Sequence, residues 1–88
     1  MKVFIAMLRE EIIANPENNS YDIYNDWVLK VYDSFVKATK FCEEISGVTD
    51  DSYEVKDISR LNKFQNLIGY VDENYGHYSM YIVERDVE

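Results

Sequence analysis

An α+β fold is what these 88 residues predict: a small antiparallel sheet of about four strands, in the order ββα(α)ββ, with one main amphipathic helix packed on one face. Three observations lead there. A continuous apolar run opens the chain, apolar residues recur at spacings of three and four in its middle, and aromatic, β-branched segments close it. The length suits a single domain over residues 1–88 and leaves no room for a second core. With 47% hydrophobic and 15% aromatic residues, the chain carries the side chains that disordered sequences lack.

Residues 3–8 are apolar at every position, as in a strand that is central in its sheet or covered on both faces. Residues 10–26 contain five acidic residues and no basic one, mixed with the turn formers Asn15, Pro16, Asn18, Asn19 and Ser20, which predicts a long solvated connection. Residues 27–32 are β-branched and aromatic. They read as a second strand, with Trp27, Leu29 and Val31 on one side and Val28, Lys30 and Tyr32 on the other. Asp33 and Ser34 then offer N-cap chemistry to a helix whose apolar stripe is Phe35, Ala38, Cys42 and Ile45, joined by Phe41. Ser46-Gly47 ends that helix, because glycine accepts the left-handed conformation just past a helix.

Between positions 50 and 65 the spacing of Val55, Ile58 and Leu61 is helical, while Tyr53-Glu54-Val55 has the makings of a short strand. A short helix over 58–64 is expected. Residues 67–71 and 78–83 read as strands on either side of a turn at 72–77, forming a C-terminal hairpin.

Charge narrows the function. Seventeen acidic against nine basic residues give a formal net charge of −8. Proteins that bind phosphate backbones neutralise them with Lys and Arg, so direct nucleic-acid binding is not expected. The acid excess instead steers the chain towards basic surfaces, including the basic grooves of enzymes that handle nucleic acids. The opening apolar run is too short to span a membrane and no export cleavage site follows it, so no membrane partner is expected. A lone cysteine, Cys42, forms no intramolecular disulfide, and a cytoplasmic location follows as the expectation.

Catalytic and metal chemistry find little to stand on. His77, beside Asp72 and Glu73, offers the outline of a general-base pair, but a turn histidine is more often a surface polar group, and no nucleophile is identifiable near it. Cys42 lies on the helical stripe, where burial raises the thiol pKa; it is placed in the core with Phe35, Ala38, Phe41 and Ile45. One His and one Cys make a poor zinc set, Asp22, Asp26, Asp50 and Asp51 lack the pattern of a calcium loop, and there is no glycine-rich phosphate cradle. No catalytic residue, metal or cofactor is assigned.

The candidates for partner contact are the carboxylates Glu10, Glu11, Glu17, Asp22 and Asp26, with Tyr21 and Tyr24 adding contact area, and the hairpin aromatics Tyr75 and Tyr78. A solvated acidic loop is the alternative for the first group, and cross-strand packing is the alternative for the tyrosines.

Three segments carry a resemblance: Lys2-Val3-Phe4-Ile5, Val31-Tyr32-Asp33-Ser34-Phe35-Val36-Lys37-Ala38 and Tyr81-Ile82-Val83-Glu84. Together they resemble the short uncharacterised proteins of phages and mobile elements of Gram-positive bacteria. The resemblance implies a fold and a genomic setting and transfers no residue role. Some such proteins resemble inhibitors of host nucleases or defence systems, with which the acidic charge is compatible. The expected function is therefore a non-enzymatic acidic protein-binding module, an inhibitor or adaptor docking on a basic surface of a host protein. The alternative is a structural, self-assembling module, a homodimer paired through an exposed sheet edge.

Overall fold

A strand with apolar residues on both faces belongs in the middle of a sheet, and the first strand is found there. The computed structural model describes residues 1–15, 17, 20–49, 53–69 and 76–87. Its elements are β1 (Lys2–Asn15), β2 (Ser20–Tyr32), α1 (Phe35–Ser46), β3 (Glu54–Val55), a 3-10 helix (Ile58–Phe64), α2 (Gln65–Ile68) and β4 (Gly76–Asp86). The four strands form one antiparallel sheet in the order β2-β1-β4-β3. The α+β class, the small four-stranded sheet and the main helix on one face are as the sequence predicts.

Register decides which face is covered, because residues directly opposite one another in antiparallel strands share a face. Ala6 stands opposite Ile82, Leu8 opposite Met80 and Glu10 opposite Tyr78. Ala6, Leu8, Met80 and Tyr78 are buried and pack with Phe41, Cys42 and Ile45 of α1, with Tyr53, Val55, Leu61 and Ile68 completing the core. Burying one such large apolar side chain contributes about 1.5–3 kcal/mol, so this face holds the sheet to the helix. At its margin Phe41 meets Tyr32 and Phe64 at ring-centroid distances of 5.8 and 5.9 Å.

The ends of α1 are built as its sequence predicts. Ser34 is the N-cap, and its hydroxyl accepts from the Lys37 N–H at 3.5 Å. Gly47 takes φ 77° and donates its N–H to the Glu43 carbonyl at 2.8 Å. Arg60 closes the same end, donating from Nη1 to the Glu44 carbonyl at 2.8 Å. Ahead of β3, Tyr53 holds φ at 39°, a conformation rare for a tyrosine. Its ring is buried and its carbonyl accepts from the Met80 N–H at 3.0 Å.

Four local expectations are corrected. The acidic segment 10–26 is not a solvated connection: β1 runs on to Asn15 and β2 begins at Ser20, so most of it forms two paired strands. The strand expected at 67–71 begins instead as α2, and its remaining residues, 70 and 71, lie outside the described residues. The reason is that the spacing Ile58, Leu61, Phe64, Ile68 continues the helical period through α2, while β4 takes its second partner from Glu54–Val55. In β2, Ala6 pairs with Lys30 but Met7 pairs with Val28, leaving Leu29 as an extra residue in a β-bulge. That bulge puts Val28 and Val31 on the same face, where strict alternation would separate them. Phe35, finally, is 57% exposed at the rim of the helix, where it meets Phe4 edge-on with centroids 5.8 Å apart, and is not a core residue.

Candidate functional site

Most of the residues singled out for partner contact fall on the distal half of the β1–β2 hairpin. No described core residue of β1 lies beyond Leu8, and none of β2 before Trp27. Beyond Arg9 the segment carries Glu10, Glu11, Glu17, Asp22 and Asp26 without a cation. Fourteen residues of strand at about 3.3 Å each make β1 about 46 Å long, against a longest molecular extent of 45 Å.

Within this segment the carboxylates are not equivalent. Glu10 lies on the helix-covered face and accepts a hydrogen bond from the Tyr78 hydroxyl and another from Asn25 Nδ2 at 3.0 Å. Tyr78 is 1% exposed, so its ring is core, and the expectation that it is a contact aromatic is corrected: Glu10 and Tyr78 form an internal cross-strand pair. Asp26 accepts from Arg9 Nε at 3.1 Å, and the Arg9 guanidinium lies 4.5 Å from the centre of the Tyr81 ring. The Asp26 hydrogen bond and charge raise the Arg9 pKa, while burial, with Asp26 behind it, pushes the Tyr81 phenol up.

Glu11 stands beside His77, Oε2 to Nε2 at 3.5 Å, and Glu54 lies 3.8 Å from Nδ1 on the other side. Asp72 and Glu73, the neighbours that the sequence suggests for His77, lie outside the described residues, as does Tyr75. Glu17 and Asp22 are exposed, and Asp22 has no partner among the described residues. Tyr21 and Tyr24 lie in β2, and their side chains are outside the described residues.

The second surface is one that residue-by-residue reading passes over. Opposite α1, the sheet presents Val3, Ile5 and Met7 of β1, Val28 and Val31 of β2, and Tyr81 and Val83 of β4, matched across the strands as Ile5 with Val31 and Val83 and Met7 with Val28 and Tyr81. No described element packs on this face, and Val28 and Val31 are 48% and 52% exposed. Its signal was present in β1, whose unbroken apolar run asks for cover on both sides.

Elsewhere, Cys42 is fully buried, and burial, with a smaller push from Glu43, raises its thiol to about 11. A shallow cavity of about 430 Å³ at the end of α1 is lined by Glu44, Ile45, Ser59, Arg60, Asn62 and Lys63. Its cations serve the fold: Arg60 caps the helix, and Lys63 pairs with Glu44 at 3.6 Å. No helix among the described residues is long and apolar enough to cross a membrane. No family model matches the chain, and neither the curated proteins nor the solved structures contain a match.

Proposed function

We propose that this protein is a non-enzymatic, acidic protein-binding module of the cytoplasm, a phage-encoded inhibitor or adaptor that docks on a basic surface of a host protein concerned with nucleic acids or defence. The observation that supports this reading is the segregation of charge on the distal hairpin, where residues 10–26 hold five carboxylates and no cation on strands that extend past the core. Paired strands hold their charges at more regular separations than a loop does. That gives steering and orientation towards a basic partner that a mobile loop would supply less well. Asp22 and Glu17 face solvent and serve as the leading contacts, with Glu11 and Asp26 behind them already engaged by His77 and Arg9. Tyr21, Tyr24 and Tyr75 are carried as contact aromatics on the strength of the sequence alone.

The test is capture from a lysate of a Gram-positive host, followed by binding kinetics of the captured protein at low and high salt, comparing the parent with the double variant Glu17→Gln, Asp22→Asn. Association should slow by roughly ten-fold or more at low salt and lose much of its salt dependence, with dissociation little changed. A captured partner whose association ignores both salt and the two neutralisations would overturn the reading.

A further inference from the structure

The uncovered sheet face carries a second, independent inference. β1 is apolar on both sides over residues 3–8, and among the described residues α1 and its neighbours cover one side only, so the other face of the central strand has no described cover. Apolar faces of this kind on a soluble chain mark a contact surface. We propose that the missing cover is a second copy of this chain, packed sheet against sheet about a twofold axis that runs along β1.

Charge favours a copy over a basic partner at this face. Among the described residues it carries Arg9 and Arg85 against Asp26, Glu11 and Glu54, so only one of the eight excess negative charges of the chain lies here. The mutual repulsion of two acidic copies is thereby carried on surfaces that point away from the contact. Size agrees. β1 and β4 pair over eleven positions with β2 alongside. Three strands of that length present about 500 Å² per copy, so two copies approach the roughly 1,000 Å² that a specific interface requires.

The axis direction follows from where the apolar residues sit. With the twofold along β1, β1 lies over its own copy and each β2 lies over the partner's β4. The exposed Val28 and Val31 are then covered by the same residue types that flank Ile5 and Met7, namely Tyr81 and Val83. An axis across the strands at Met7, the middle of the paired stretch, would instead set Val31 over the charged Asp26 of the partner's β2. Sheets stacked in this way lie about 10 Å apart with strands within about 30° of one another.

Pairing through the β2 edge is the poorer route. The register shifts leave Leu29 and Tyr24 as extra residues in that strand, and bulges twist an edge away from a straight neighbour.

The inference does not rest on the proposed partner, because it is read from the protein alone. Sedimentation equilibrium should give twice the chain mass at about 100 µM, near the weak end of specific interfaces. Val28→Glu combined with Val31→Glu should weaken the dimer by roughly 100-fold while the far-ultraviolet circular dichroism is retained, since both positions are about half exposed in the single chain. Met7→Cys, which lies near the axis, should be joined to its copy by a thiol-reactive cross-linker that spans about 10 Å, the distance between stacked sheets, and Asp22→Cys on the distal hairpin should not. A parent chain that stays monomeric, a glutamate variant that dimerises as well as the parent, or failure of Met7→Cys to cross-link would overturn the proposal.

Discussion

The two faces of the sheet share the same three long strands yet have opposite fates. Beneath α1, Ala6, Leu8, Tyr78 and Met80 are almost wholly withdrawn from solvent. On the opposite face, Val28 and Val31 of β2 are about half exposed, and no described element lies over them. Both faces are apolar, so composition does not separate them. What separates them is α1 and the short helices beside it, which roof one side. The difference teaches that fold stability and external contact are assigned here to alternate residues of the same strands, and substitutions one position apart should report on different properties.

The widest gap is expected from Leu8→Ala set against Val31→Ala. Truncating Leu8 removes a fully buried side chain and should cost about 2–5 kcal/mol in urea unfolding, whereas Val31→Ala, measured on dilute protein, should cost about 0.5 kcal/mol. Equal losses would mean that the second face is already covered within one chain. A smaller effect is expected at the polar end of the covered face, where Tyr78→Phe deletes the hydroxyl that donates to Glu10. About 1–3 kcal/mol should be lost, and a double-mutant cycle with Glu10→Gln should recover part of it as coupling. Additive losses would dissolve the pair.

The smallest effect should come from Cys42. Burial holds its folded thiol near 11, above the 9.0 expected in the unfolded chain, so the protonated thiol contributes stability that is full below pH 9.0 and is lost as pH climbs towards about 11. Cys42→Ala should flatten the alkaline fall of stability in that window by on the order of 1 kcal/mol. Parallel curves for parent and variant, or rapid labelling of the native thiol, would place Cys42 outside the roofed face.

How much of this could be read from residues alone depended on whether the signal was local. α1 was legible because its cap, stripe and terminal glycine all lie within fourteen consecutive residues, 34–47. The centrality of β1 was legible because an uninterrupted apolar strand has few other places to go. The long hairpin was hidden by its own acidity: Glu10, Glu11, Asp22 and Asp26 look like loop residues until partners such as Tyr78 and Arg9, distant in sequence, are brought beside them. The bulge at Leu29 was hidden for a different reason, since it is fixed by the pairing of two strands and leaves no mark in either one taken singly. For the candidate site, the acidic positions were legible as a group, but the burial of Tyr78 and the bare valine face were not.

The order of the strands also sets a timetable. β1 finds its first partner at once, in the adjoining β2, but its other neighbour is β4, which begins 61 residues after β1 ends. At a synthesis rate of about 5–20 residues per second, roughly 3–10 s separate completion of the hairpin from completion of the strand that closes its inner edge. During that interval the most apolar strand of the chain has an unpaired edge and no roof, since the helix packs on a sheet not yet assembled. The nascent chain therefore passes through a stage more exposed to aggregation than either its length or its final charge suggests, and the carboxylates of the hairpin are already present then to keep neighbouring nascent chains apart.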